Sequence, residues 1–503
     1  MEKIIEIKKG ELWYSGQIDD TANMPYDGKK VVDFDLDTAE AYNQISPMLI
    51  SSTGRYLYAP KNFKLHIENG IISVSSKGNI DFGEKENFRK AYEYLKDTYF
   101  EFDGRFPDLR LFLCPQYCTW MSLGYNQTQA GVLKVAKNII DAGLPAGELI
   151  IDDNWAPYMG KFEFDAEKFP DPQGMVEDLR DMGFFVSLWV VPYISPDTET
   201  FRYFRDNDML YKQNGKVFLT EWWDGYSACM DFTNPKTVEW VENKFDELRT
   251  KFGIDGLKMD GGDNRLYAND LQSFDGVSHT ANELSELWGR LAAKFSVSEI
   301  RSTNRCEGLP VMQRIADRFH AWEDEKNGFG SIIKRSLIMS IAGYPYNCPD
   351  MIGGGQSEDW NAKEDDELNI RYMEAATFLP SFQFSKRIWE HGKNVKDVVL
   401  KMVEIRDKYS DDIMDAVLKC AKTGEPIIKS MLFEYGIMPE NLDQFVLGDR
   451  ILVAPVMNKG QTGRKVFLPE GEWETFDGKT VKGGKEITVS APIDVLPYFI
   501  KLG

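Results

Sequence analysis

From about residue 109 to about residue 384 the chain alternates short apolar runs with amphipathic stretches. That rhythm narrows the fold sharply. A strand buried on both faces is continuously apolar, and each crossover to the next parallel strand needs a helix. Runs at 109–114, 148–151, 184–191, 254–259, 297–302, 318–322, 341–346 and 378–384 read as strands. Helices are expected over 127–142, from 172, and over 234–252, 280–295, 331–340 and 367–377, with a hairpin inserted at 217–232. Eight such units over about 300 residues suit a closed (β/α)8 barrel. An open doubly wound sheet is disfavoured, because no Gly-x-Gly-x-x-Gly turn follows the first strand.

The flanks read differently. Before residue 105 the pattern alternates in twos, as in Phe63-Lys64-Leu65-His66-Ile67 and Ile71-Ile72-Ser73-Val74-Ser75, with turns at Asn69-Gly70 and Lys77-Gly78. After about 425 short strands return. The expected fold class is α/β, a (β/α)8 barrel flanked by two β-sandwich domains. The expected division is 1–105, an N-terminal β-sandwich; 106–410, the catalytic barrel; and 411–503, a C-terminal β domain.

Charge and composition exclude several classes. A formal charge of −21, from 59 basic and 80 acidic residues, disfavours nucleic acid and anionic membrane surfaces as partners. The N-terminal stretch lacks the apolar core of a signal peptide, and no run approaches the ~18 apolar residues of a membrane span. A cytoplasmic location is the expectation. The six cysteines are scattered, which suits a reducing compartment better than a disulfide framework. Cys114 and Cys118 have no second pair at ligand spacing, and the four histidines form no His-Glu-x-x-His. No metal and no cofactor are expected. The sequence leaves homo-oligomerisation open.

The barrel reading can be tested at its strand ends, where the active site of such a fold lies. The 254–259 run ends on Lys258-Met259-Asp260-Gly261-Gly262-Asp263. Alone, Asp-Gly-Gly is ordinary turn chemistry. At a strand end it puts a carboxylate where the sheet opens, followed by glycines that permit unusual backbone angles. Lys258, two residues earlier, is expected on the same side, favouring the ionised form of Asp260. Other ends repeat the theme of carboxylates beside tryptophans: Asp152-Asp153-Asn154-Trp155, then Trp189, then Trp322-Glu323-Asp324-Glu325, then Asp350. Several sheltered carboxylates together need partners or a polyhydroxylated ligand, and tryptophan faces stack on sugar rings. Glycosidic cleavage needs two carboxyls. Asp260 is the candidate nucleophile. Asp324 is the candidate acid/base, its pKa raised by Glu323 and Glu325.

These residues resemble glycoside hydrolase family 31. The resemblance spans about 109–503 and rests on Ile150-Ile151-Asp152-Asp153, Lys258-Met259-Asp260, Gln313-Arg314, Pro349-Asp350-Met351-Ile352-Gly353-Gly354 and Gly448-Asp449-Arg450-Ile451-Leu452-Val453-Ala454-Pro455-Val456. Within the family, Trp222-Trp223-Asp224-Gly225, Asp231-Phe232-Thr233, Gly343-Tyr344-Pro345-Tyr346 and 379–385 resemble the myogenesis-regulating branch. That branch implies a retaining α-galactosidase acting on an oligosaccharide or other α-glycoside. The resemblance implies Asp260 as nucleophile, Asp324 as acid/base, and Asp152 and Asp153 as holders of sugar hydroxyls. It makes Arg305 the arginine before the acid/base loop and Asp350 an aspartate of the pocket floor. Trp155, Trp223 and Asp224 are the residues suspected of choosing the sugar. Two positions depart from the family pattern: Glu323-Asp324 stands for Gly-Asp, and Asp263 for the usual glutamate. The alternatives are an α-glucosidase, α-xylosidase or sulfoquinovosidase on the same machinery, and a catalytically inactive sugar-binding protein.

Overall fold

The structure is a computed structural model that describes residues 1–38, 41–323, 327–437 and 442–502. Its centre is a ring of parallel strands in the order Gln116–Cys118, Glu148–Ile151, Phe185–Val190, Gly256–Met259, Ser298–Ile300 and Met312–Arg314, each paired with the next. The seventh strand comes in two pieces. Asn347–Cys348 pairs with the sixth strand, and Met351–Ile352 pairs with the eighth, Gln383–Phe384. The eighth pairs back onto the first, so the barrel closes. Pro349 and Asp350 break the seventh strand, Asp350 with φ +68°.

The helices between strands begin where their sequences supply a cap. Thr128, Asp171, Asn234 and Thr280 each accept a backbone N–H of the first turn. Pro172 and Pro235 occupy the first helical position, and Thr280 with Glu283 forms a capping box. The apolar faces of these helices, such as Val132, Val135, Ala136 and Ile139, pack on the barrel's outer surface within one large core.

Three strands lie elsewhere than the apolar runs suggest. Residues 109–114 hold the short helix Arg110–Leu113, and the first strand is Gln116–Cys118. A short apolar run serves a buried helix turn as well as a strand, and Leu111 and Phe112 are fully buried there. The sixth strand is Met312–Arg314 rather than 318–322. It carries the polar Gln313 and Arg314, with Arg314 turned into the barrel toward Glu299 and Asp350, so its pattern is not apolar. Likewise 341–346 yields to Asn347–Cys348, with the helix Ile332–Ile341 running up to it.

The N-terminal region forms two four-stranded antiparallel sheets, and the hairpin Lys64–Glu68/Ile71–Ser75 turns at Asn69-Gly70, both with positive φ. The C-terminal region forms a six-stranded antiparallel sheet and a two-stranded ribbon around Trp473, Leu452 and Phe499. The inserted hairpin is Leu219–Trp222 with Gly225–Cys229. Among the described residues no helix is long and apolar enough to cross a membrane.

Candidate active site

At the C-terminal ends of the strands lies a cavity of about 660 Å3. Asp260 lines it, one residue beyond the fourth strand, with its N–H donated to Val190 O at 2.9 Å. The turn that follows takes the left-handed backbone twice, at Gly261 and Gly262 (φ +65° and +69°), and a Cβ on Gly262 would meet Trp288 Cδ1 at 2.4 Å. Trp288 in turn donates its indole N–H to the Asp260 carbonyl.

The Asp260 carboxylate is clamped. Arg301 Nε donates to Oδ1 at 2.9 Å, the Gly261 N–H donates to the same oxygen at 2.9 Å, and Trp189 Nε1 donates to Oδ2 at 3.2 Å. Arg314 Nη2 stands 3.7 Å from Oδ2. Burial by itself would raise its pKa. Arg301, Arg314 and Lys258 outweigh that, and hold the carboxyl well below the usual range. Arg301 also grips Asp263, which is fully buried beneath the turn.

Lys258 does sit on the cavity side, but its ammonium pairs directly with Asp152 Oδ2 at 2.8 Å, and acts on Asp260 only through space. Asp152 also accepts the Cys118 thiol and its neighbour's N–H, from Asp153. Asp153 lines the cavity with neither carboxyl oxygen partnered by a donor. Its pKa is driven far up, by burial first and then by Asp224 and Asp152. Asp224 comes from the turn of the inserted hairpin, so barrel and hairpin each bring a carboxyl to one spot. Next to it, Trp223 lines the cavity and faces Arg301, whose Cζ is 5.7 Å from the ring centroid.

The structure thus brings together Asp152, Asp153, Trp189, Trp223, Lys258 and Asp260, with Asp224 against Asp153. It places four others apart from the cavity wall. Trp155 donates to Trp189 O from behind. Trp322 is tied to Asp365 Oδ2. Arg305 reaches Glu286 and the Pro60 carbonyl, at the joint with the N-terminal sheets. Asp350 is fully buried behind Arg314 Nη1, which it accepts at 2.9 Å; burial pushes its pKa up to about 6 against the pull of that cation. Asp324 lies outside the described residues, so its distance from Asp260 does too.

Sequence reasoning missed Arg301, Arg265, Asp317, Tyr42 and Tyr125, all of which line the cavity. Arg301 had a readable signal, an arginine one residue beyond the fifth strand, Ser298–Ile300. Asp317 was hidden by the misplaced sixth strand. It follows Met312–Arg314 and accepts Arg314 Nη1 at 2.5 Å. Tyr42 comes from the N-terminal region, more than two hundred residues from Arg265, whose guanidinium faces its ring, and no local pattern announces it. Among the described residues no group of three His, Cys, Asp or Glu side chains is set to hold a metal ion.

Fold and site together define a β/α-barrel protein with an ionised carboxylate at the floor of a cavity walled by acids and aromatic rings. Residues 113–413 match the glycosyl hydrolases family 31 TIM-barrel domain, and residues 424–503 match that family's C-terminal domain. The chain belongs to glycosyl hydrolase family 31. It is 29% identical over 430 residues to the myogenesis-regulating glycosidase of Mus musculus, covering 81% of this chain and 59% of that protein. It is 25% identical over 450 residues to alpha-glucosidase 2 of Bacillus thermoamyloliquefaciens (81% and 54% covered) and over 499 residues to alpha-xylosidase XylQ of Lactiplantibacillus pentosus (92% and 62%). The chain therefore spans only about three fifths or less of these relatives. Among solved structures, a Flavobacterium johnsoniae family 31 dextranase superposes with TM-score 0.84 at 19% identity, over 99% of this chain and 66% of the other. A soil-metagenome family 31 alpha-xylosidase does so with the same score and identity, over 99% and 79%. At that identity they show a shared fold.

Proposed function

We propose that the chain is a retaining, exo-acting α-glycoside hydrolase that removes terminal α-linked galactose by double displacement. The observation that carries this reading is the Asp260 carboxylate, kept ionised by Arg301 and Arg314 and exposed only to the cavity. An ionised, aimed carboxylate is what attack on an anomeric carbon needs. Asp260 bonds to that carbon as the glycosidic C–O bond breaks, and the acid/base carboxyl, proposed to be Asp324, gives its proton to the leaving oxygen. Water then attacks the glycosyl ester, losing its proton to the same group, and the sugar leaves with its configuration retained. The two carboxyls should stand ~5–5.5 Å apart. Asp152, oriented by Lys258, and Asp153, with open oxygens, suit the hydroxyls of the bound ring. The galactose assignment rests on resemblance to the myogenesis-regulating branch, with Trp223 and Asp224 as the residues that meet O4.

A panel of 4-nitrophenyl α-glycosides tests both levels. The α-galactoside should give the highest kcat/KM, with the α-anomer of the sugar as first product by NMR. A higher value on the α-glucoside, α-xyloside or α-sulfoquinovoside would reassign the sugar. Asp260→Ala should abolish turnover while the protein still melts cooperatively, and normal activity in that variant would sink the nucleophile assignment.

A further inference from the structure

The cations lining the cavity are nearly all spoken for. Lys258 pairs with Asp152, Arg301 with Asp260 and Asp263, and Arg335 approaches Asp19 at 4.0 Å. Arg265 differs. It lines the same cavity, in the turn Asn264–Leu266 beyond the nucleophile, yet makes no hydrogen bond or ion pair to a described residue. Its Nε is buried without a partner, and its guanidinium carbon lies 4.4 Å from the centroid of the Tyr42 ring. Asp263, which feels its charge, is already held by Arg301. Asp19, on the same wall, is likewise occupied, accepting the N–H groups of Tyr42 and Asn43 and the Asn43 amide. A half-buried guanidinium whose Nε has lost its hydration without replacement, and whose Nη donors stand open, is an incomplete arrangement.

We propose that Arg265 binds an anionic oxygen group, a carboxylate or its sulfonate or phosphate equivalent, on the leaving-group part of the substrate. This rests on the hydrolase reading above. The side is set by depth. The strand-end residues Asp152, Asp153, Lys258 and Asp260 form the floor, where a terminal sugar must lie for exo-cleavage. Arg265 stands five residues beyond the nucleophile, beside Tyr42, whose 43% exposure marks the mouth. A planar guanidinium presents paired donors that match a carboxylate, and the Tyr42 ring 4.4 Å away holds the cation at the mouth by cation–π attraction. The chain's overall charge of −21 works against anions at long range, so recognition must come from this local contact.

The test compares two α-galactosides with leaving groups of matched acidity, 4-nitrophenyl and 3-carboxy-4-nitrophenyl. Wild-type protein should favour the carboxylated substrate in kcat/KM by ~10-fold or more, the size of one charge-assisted contact. The preference should shrink as salt rises. Arg265→Gln should bring the ratio to about one, and Arg265→Lys should keep part of it, since a point charge replaces the fork. The same ratio is read a second way, as Kd values for both glycosides in the Asp260→Asn variant, which needs no turnover. A 3-sulfo analogue separates a carboxylate-specific site from a general oxyanion site. A wild-type ratio at or below one, a ratio unmoved by Arg265→Gln, or no measurable binding of the carboxylated glycoside overturns the anion site. Arg265-dependent binding without hydrolysis of either substrate would instead remove the hydrolase reading and leave the anion site standing.

Discussion

Arg301 reaches Asp260 and Asp263 from the end of the neighbouring strand, and so sets the charge of the Asp260 carboxyl, the proposed nucleophile. Burial opposes ionisation of Asp260, and the Arg301 cation is the largest force against it. The sign of its removal follows. Without Arg301 the pKa of Asp260 rises, and the working ionised form is lost at a higher pH than in the wild type. Arg301→Met should therefore shift the acid limb of kcat/KM toward neutrality and lower kcat more than it raises KM. Arg301→Lys should restore part of the shift, as a cation without the paired donors. A pH–rate profile with an unmoved acid limb would mean that Arg301 only fills space. The position of Asp260 was legible in the sequence, as a carboxylate one residue beyond an apolar strand, and the structure puts it on the cavity wall. Its clamp was legible only in part. Arg314 sits inside the barrel on a strand whose polar residues disguise it.

The turn after the fourth strand shows how an element converts sequence into geometry. Gly261 and Gly262 both need a left-handed backbone, and Gly262 is also pressed against Trp288. The same indole supports the Asp260 carbonyl. Gly262→Ala should cost about 1–3 kcal/mol, from the unfavourable φ and the overpacked ring together. It should also lower kcat, because Trp288 cannot move without releasing Asp260. Chemical denaturation and steady-state rates would check the pair, and a loss of stability with unchanged kcat would detach the tryptophan from the site. Elements with clean apolar patterns and caps, such as Glu148–Ile151 and Pro235–Phe252, were readable in advance. The first and sixth strands were not. One lies beside an apolar run that folds as a helix, and the other is three residues long with the polar Gln313 and Arg314, Arg314 facing the barrel interior.

At the scale of the whole molecule, the N-terminal region completes the site rather than decorating it. Its residues 41–45 run along the loops that follow the fourth, fifth and sixth barrel strands. Gln44 donates its amide to the carbonyls of both Arg301 (2.6 Å) and Arg314 (2.9 Å), so one side chain ties together the two cations that hold Asp260. Tyr344 Oη and Thr303 O grip Ile45, Asn282 reaches Leu36 O, and Asn43 accepts the Ala316 N–H. Sequence could not announce this, since Gln44 lies 257 and 270 residues from its partners. Gln44→Leu keeps the volume but leaves two buried carbonyls without their donor, at about 1–3 kcal/mol for each group left unsatisfied. The variant is expected to melt lower than the wild type and to lose kcat by ~10-fold or more, though Gln44 does not touch the cavity. Its acid limb should move in the same direction as that of Arg301→Met, because both loosen one clamp. A melting drop without any change in kcat or in the pH profile would reduce Gln44 to a stabilising contact between the N-terminal sheets and the barrel.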